Sequence, residues 1–295
     1  MQTSFTLRSY AKVNYTLDIL SLRPDGYHNV ATVMQTISLF DTLTFTRNEE
    51  PGIIFECDAP GIPSDSTNLV YRAAEVVLTE SGRNDGLTIN LQKSVPSQAG
   101  LGGGSSNAAY TLMGVNKLLN LEQDHATLSR LAASLGSDIP FFLTGGTAAC
   151  RGRGEVVTPL ADGPSFWLVV VKPDTNVSTA WAYKALDSDT ERQSARATRR
   201  MEESLQSEEP DRIISRMTND FEQVIFGEHL QLALLHDELL MARCRNARLC
   251  GSGSAMFGLC LTEAEANEAA RIMRLKYEKV YVCRTISRSE AINLG

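Results

Sequence analysis

Between residues 5 and 19 the chain alternates. Phe5, Leu7, Ala11, Val13, Tyr15, Leu17 and Ile19 hold the odd positions, and Thr6, Arg8, Lys12, Asn14, Thr16 and Asp18 hold the even ones. A period of two predicts a β-strand with its apolar face on a core. It also sets Lys12 and Asn14 on the opposite face, where a solvated edge is the ordinary expectation. Arg23-Pro-Asp-Gly26 has the composition of a turn, and Tyr27-His28 opens the next segment. Residues 33–45 predict one or two strands broken near Asp41, and 51–63, rich in Pro and Gly, read as irregular. Leu69, Ala73 and Val77 give helical spacing over 68–78, and Leu87, Ile89 and Leu91 alternate as a strand.

Further on, Asp124 precedes Leu128, Leu131, Ala132 and Leu135, which predicts a capped helix stopping at Gly136. Residues 141–143, the Gly145-Gly146 pair, 147–151 and the turn at Gly152 and Gly154 together suggest a hairpin. A short apolar strand is expected at 166–171. The highly charged run 187–216 reads as exposed helix and loop, and 230–242 has helical spacing. Cys250-Gly-Ser-Gly-Ser forms a Gly/Ser turn running into an apolar strand at 256–261. A helix at 263–275 and a strand at 279–285 follow. Such a strand–helix–strand ending suits an α+β second domain, so the expected division is 1–160 and 161–295.

The 295 residues leave room for two domains, and the net charge of −7 argues against a general nucleic-acid binder. No apolar run reaches the ~18 residues of a membrane span, and Met-Gln-Thr-Ser-Phe lacks the basic and apolar regions of a signal peptide. The six cysteines are scattered without a C-x-x-C pair, which predicts reduced thiols in a cytoplasmic protein. No obligate protein partner is evident.

The candidate chemistry begins at Val95-Pro-Ser-Gln-Ala-Gly-Leu-Gly-Gly-Gly-Ser-Ser-Asn-Ala-Ala109. Glycine lets a backbone approach a ligand closely, and Ser105 or Ser106 would cap a helix carrying Ala108, Ala109, Leu112, Leu118 and Leu119. Free N–H groups and the dipole at such a helix start attract an anion, which makes this stretch a phosphate cradle. A Walker loop would need a lysine after the glycines. A Rossmann turn would need a strand running straight into the first glycine, and here Pro96 and its neighbours intervene. A flexible linker has no reason to run into an Ala- and Leu-rich helix.

Pro96-x-x-x-Gly-Leu-Gly-Gly-Gly-Ser-Ser-Asn-Ala-Ala resembles the second signature of the GHMP kinases (galactokinase, homoserine, mevalonate and phosphomevalonate kinases). Ala11-Lys-Val-Asn14 with Pro24-Asp-Gly-Tyr-His28 resembles the first signature, and Leu249-Cys-Gly-Ser-Gly-Ser-Ala255 the third. Gly136-Ser-Asp-Ile-Pro140 matches the segment bearing the family's catalytic aspartate, and Asn219-Asp-Phe-Glu222 a further typical segment. The resemblance covers nearly the whole chain.

The resemblance implies a two-domain α+β GHMP kinase fold, with an N-terminal domain like domain 2 of ribosomal protein S5 and a ferredoxin-like C-terminal domain. It implies transfer of the γ-phosphoryl of ATP to a hydroxyl, with Mg2+ expected. Asp138 is then the expected base, and Lys12 its partner, favouring an alkoxide as it forms. Asn68, Lys93, Pro96, Ser97, Gln98, Ala99, Gly100, Leu101, Gly102, Gly103, Gly104, Ser105 and Ser106 fall on ATP-binding positions, and the Ser105 or Ser106 hydroxyl is the candidate metal contact. Asn14, Tyr27, His28, Tyr183, Gly251, Ser252 and Gly253 fall on the acceptor side. His28 would read a cytosine edge and Tyr27 stack on its face, with Tyr183 closing the other face, so the expected acceptor is a cytidine diphosphate sugar-alcohol. Ser97-Gln98, Asn107 and Phe221 depart from the family's commoner residues. The rival readings are a homoserine- or mevalonate-type kinase and a non-catalytic nucleotide-binding regulator on the same fold.

Overall fold

The computed structural model describes residues 3–186, 194–207 and 209–294. Two long antiparallel strands, β1 (Ser4–Leu22) and β2 (His28–Asn48), form its spine, joined by the turn at Arg23–Tyr27. They are followed by β3 (Gly52–Cys57), α1 (Leu69–Glu80), β4 (Gly86–Gln92), α2 (Gly103–Leu118), α3 (His125–Leu135), α4 (Ile139–Thr144), β5 (Thr147–Arg151) and β6 (Val156–Pro159). A second group comprises β7 (Trp167–Lys172), α5 (Thr179–Leu186), α6 (Arg196–Leu205), α7 (Pro210–Arg216), β8 (Thr218–Asn219), α8 (Phe221–Glu228) and α9 (Leu230–Met241). The chain closes with β9 (Asn246–Leu249), β10 (Met256–Cys260), α10 (Glu263–Met273), β11 (Lys279–Arg284) and α11 (Arg288–Ala291).

The first sheet runs β3-β4-β2-β1-β8, with the β5–β6 hairpin paired to β2. The second runs β11-β7-β10-β9, wholly antiparallel, which is the ferredoxin-like order. One core lies between the first sheet and α1–α4, around Leu43, Phe45, Val77 and Leu112. Another lies between the second sheet and α8–α10, around Leu232, Leu235, Leu249 and Met256. A third joins the sheets: Val13 and Tyr15 of β1 and Leu101 of the glycine loop pack with Phe166, Phe257 and Cys283. No helix among the described residues is long and apolar enough to cross a membrane, and all six cysteines are free.

The expected solvated face of β1 is absent, because the glycine loop and the second Gly/Ser turn lie against Lys12. Lys12 and Asn14 do share a face, but each is only 2% exposed. Four other expectations are corrected. Strand β2 is continuous through Asp41, because that carboxylate is fully hydrogen-bonded inside the protein instead of turning out to water. Its irregularity lies at 37–39, where Ile37 bridges Thr285 and the Ser38 Oγ accepts from the Arg284 N–H (3.0 Å), so the second sheet docks there. The irregular stretch at 51–63 contains β3, paired parallel to β4. Residues 141–143 are helical in α4, with Pro140 in its first turn; only β5–β6 forms the hairpin. Helix α2 starts at Gly103, with Gly102 as its N-cap, ahead of both serines. Of the charged run, α6 and α7 are helical as expected, and residues 187–193 and 208 lie outside the described residues.

Candidate active site

The glycine loop is anchored at its entrance by Asp41. Its Oδ1 accepts from the Ser94 and Val95 N–H groups (2.8 Å each), and its Oδ2 lies 2.5 Å from the Lys93 ammonium. The loop then passes so close to the second Gly/Ser turn that a Cβ at Gly100 would fall 1.7 Å from the Cys250 carbonyl oxygen. The Ala255 N–H donates to the Ala99 carbonyl (3.2 Å) across the same junction. At Gly102 the backbone is left-handed (φ 70°, ψ 16°), which glycine adopts without the steric cost of a Cβ and which turns the chain into α2. No side chain caps that helix, so its first-turn N–H groups lack a side-chain partner.

Asn68, Lys93 and every residue from Pro96 to Ser105 line one cleft of about 420 Å³. Ser106 does not join them. Its hydroxyl is buried against β1, donating to the Tyr10 carbonyl (2.6 Å) and bonded to Ser9 Oγ (2.8 Å), which leaves Ser105 as the serine of this pair facing the cleft. Lys93 is present but ion-paired with Asp41.

A second pocket, of about 970 Å³, opens on the other side of the loop. Lys12, Asn14, Tyr27, His28, Asp138, Tyr183 and the turn Gly251-Ser-Gly253 all line it, and Gln98, Gly100 and Gly102 line both pockets. The Lys12 ammonium donates to Asn14 Oδ1 (2.8 Å) and stands 4.0 Å from Asp138 Oδ2. Asn14 donates in turn to Thr32 Oγ1 (2.9 Å). Asp138 sits at the N-cap position of α4, half-buried, with its side chain unused as a cap.

The aromatic end of this pocket differs from the expected pair of open faces. His28 stacks on Tyr183 (centroids 5.0 Å, 18°), and Tyr183 meets Phe221 edge-on. Tyr27 is 57% exposed and is covered on one side by the Arg153 guanidinium, 4.9 Å from its centroid. Burial pushes the Tyr183 phenol up to about 12, and the Asp138 charge acts in the same direction.

The 219–222 segment has a structural role. Asn219 Nδ2 donates to the Leu249 and Gly251 carbonyls (2.9 and 2.7 Å), Asp220 Oδ2 accepts from the Ile19 N–H, and Glu222 Oε1 accepts from the Leu249 N–H. These bonds tie the second glycine turn to β1. Thr32, Arg153 and Thr179, whose Oγ1 bonds Ser252 Oγ (2.7 Å), also line the pocket and were not anticipated. For Arg153 a signal existed, namely an arginine between two turn glycines.

Two glycine turns, a lysine and a carboxylate thus converge where the two pockets meet. Residues 68–146 match the model of the GHMP kinase N-terminal domain, and 201–279 that of the C-terminal domain. The chain belongs to the GHMP kinase family. It is 39% identical over 268 residues to a 4-diphosphocytidyl-2-C-methyl-D-erythritol kinase of Geobacter metallireducens, covering 91% of this chain and 93% of that one. It is 40% identical over 283 residues to the enzyme of the same name from Moorella thermoacetica, covering 95% and 99%. A crystal structure of 4-(cytidine 5'-diphospho)-2C-methyl-D-erythritol kinase superposes with a TM-score of 0.81 at 34% identity, over 95% of this chain and 99% of that one. Homoserine kinase from Cytophaga hutchinsonii superposes at 0.78 with 18% identity, a likeness of fold alone.

Proposed function

We propose that this GHMP kinase phosphorylates the 2-hydroxyl of 4-diphosphocytidyl-2-C-methyl-D-erythritol with ATP, giving the 2-phosphate and ADP, a step of isoprenoid precursor synthesis by the non-mevalonate route. The observation that carries the reading is the Lys12–Asp138 pair, 4.0 Å apart, beside the glycines shared by the two pockets. The relatives' names supply the acceptor.

ATP would occupy the 420 Å³ cleft, its phosphates against the loop and the start of α2. The acceptor would extend through the larger pocket, its base at Tyr27 and His28 and its reacting hydroxyl at Asp138. The hydroxyl oxygen attacks the γ-phosphorus, the bond to the bridging oxygen breaks, ADP leaves, and the hydroxyl proton passes to the Asp138 carboxylate. Lys12, held by Asn14, offsets negative charge on the attacking oxygen. Residues 1–160 would hold the nucleotide and 161–295 would supply the second glycine turn and Tyr183.

Magnesium belongs to the proposal. Among the described residues no three His, Cys, Asp or Glu side chains are grouped as metal ligands. A Mg2+ ion arriving on nucleotide phosphates keeps several waters and needs only one or two protein oxygens; the Ser105 hydroxyl at the head of α2 fits that requirement. Bound there, it would neutralise charge on the β- and γ-phosphate oxygens. Free thiols and ATP use suit a cytoplasmic enzyme.

The test is ADP release from ATP with the cytidine diphosphate acceptor, homoserine and mevalonate side by side, with the product identified by phosphorus NMR. Turnover confined to the cytidine acceptor is expected. Turnover with homoserine or mevalonate instead would move the chain to another branch of the family, and silence with all three would make it a non-catalytic binder.

A further inference from the structure

Arg153 has no place in the chemistry above, yet it lines the acceptor pocket. Its neighbours in sequence and space are spent: Arg151 pairs with Glu202, and Arg23 with Asp25. Arg153 makes no ion pair within 4.0 Å among the described residues, although its charge helps to hold the Asp25 carboxyl down; its guanidinium rests on the Tyr27 ring at 4.9 Å. A guanidinium stacked on a ring keeps its N–H donors at its edge, available to an acceptor in the same plane.

Its backbone is fixed. The Val30 N–H donates to the Gly152 carbonyl (2.7 Å), and the Arg153 N–H to Glu155 Oε2 (2.5 Å). A Cβ at Gly154 would lie 3.3 Å from Asp138 Oδ1. The turn therefore runs from the proposed base at one end to Tyr27 at the other. The pocket is also positive in a chain of net charge −7: Lys12, Arg153 and Lys184 line it against one carboxylate, Asp138.

We propose that Arg153 is a specificity-determining residue that recognises the anionic diphosphate of the acceptor while bracing Tyr27. The inference rests on the acceptor reading given above. An acceptor with its base at the aromatic end and its hydroxyl at Asp138 must carry its diphosphate between them, and Arg153 lies between them.

Binding of CDP and of uncharged cytidine, measured by titration calorimetry on the wild type, Arg153→Gln and Arg153→Lys, tests this, with melting temperatures as a check on folding. Arg153→Gln is expected to weaken CDP by about tenfold or more, the scale of a lost charge-assisted contact, and cytidine by less than about twofold. Arg153→Lys keeps the charge but loses the planar stack on Tyr27, so its CDP affinity should fall between those of the wild type and Arg153→Gln. In turnover, Arg153→Gln should raise KM for the acceptor and leave KM for ATP unchanged. Equal losses on CDP and cytidine would reduce Arg153 to a prop for Tyr27 and overturn the proposal. So would unchanged CDP binding in Arg153→Gln. A wild type that binds no CDP would instead overturn the acceptor reading together with this one, so the two failures are distinct.

Discussion

Gly100→Ala puts the strongest demand on the way the two glycine turns meet. The new Cβ would fall 1.7 Å from the Cys250 carbonyl oxygen, 2.6 Å from its carbon and 3.2 Å from the Gly253 nitrogen. All three are backbone atoms, so no side chain can swing away, and the turns must part by more than an ångström. The backbone at Gly100 is also left-handed, at φ 76°. An L-residue there costs about 1–2 kcal/mol, and forcing extra volume into packed structure costs about 1–3 kcal/mol. Together they predict a loss of about 2–5 kcal/mol, against about 5–15 kcal/mol for a whole native protein. The separation falls between the two pockets, where an ångström of misplacement costs about a hundredfold in rate. Gly104→Ala is the matched control. Gly104 lies in the first turn of α2, and the nearest atom to its added Cβ is Leu69 Cδ1 at 4.0 Å. It should be neutral, or stabilising by up to about 1 kcal/mol. Urea midpoints of both variants give the comparison, with turnover of Gly100→Ala set against the wild type. If Gly100→Ala matches Gly104→Ala in midpoint and the wild type in turnover, the close approach does not matter, and the argument for two interlocked turns fails.

Asp138→Asn should keep the fold and ATP affinity and lower kcat about a hundredfold or more; near-normal turnover in the folded variant would remove Asp138 from the mechanism. Lys12→Met should lower kcat on a similar scale, and the double variant should lose far less than the two effects multiplied, because the groups act as a unit; full multiplicativity would refute that. His28→Ala removes the ring stacked on Tyr183 and should raise KM for the cytidine acceptor while the shape of the pH profile of kcat is kept; a lost basic limb with base preference intact would make His28 a proton carrier. With its phenol raised from 10 to about 12, Tyr183 stays protonated in the folded protein where the unfolded chain ionises, so this residue's contribution to stability is present below pH 10 and lost as pH rises from 10 to 12. Tyr183→Phe should flatten that alkaline loss in urea titrations, and an unchanged slope would count against it.

The spine and the loop were legible because their signals are local. The alternation of residues 5–19 is enough for β1, and Asp124 with Gly136 is enough for both ends of α3. What escaped depends on partners far along the chain. Asp41 reads as a strand breaker until Lys93 and the 94–95 amides arrive to satisfy it. Phe141-Phe-Leu143 is a short apolar run, which periodicity cannot divide between strand and helix; Pro140, acceptable in a helix's first turn, decides it. The burial of Lys12 needs the glycine loop and the turn at Gly251, and the commitment of Ser106 to Tyr10 needs β1 alongside α2. Tyr27, His28, Asp138, Tyr183 and the 251–253 turn, far apart along the chain, line one pocket. The direct stacking of His28 on Tyr183 is a matter of side-chain geometry, which no motif encodes.

Lys12 lies against the glycines of both turns. Its own N–H donates to the Leu101 carbonyl (3.0 Å), which welds the loop to β1. Its side chain then threads the junction of the two turns: a Cβ at Gly102 would stand 3.2 Å from its Cγ, and one at Gly251 would stand 3.4 Å from its Nζ. Beyond them the ammonium reaches Asn14, two residues along the same strand, and faces Asp138. The separation between ammonium and carboxylate is therefore set by β1, the head of α4 and the glycine loop bonded to β1. A Cβ at Gly102 would press on the Phe142 ring (2.7 Å) before Lys12, and one at Gly251 on the Gly100 carbonyl oxygen (3.2 Å) before Lys12, so either substitution should disturb the junction and the lysine together and lower kcat.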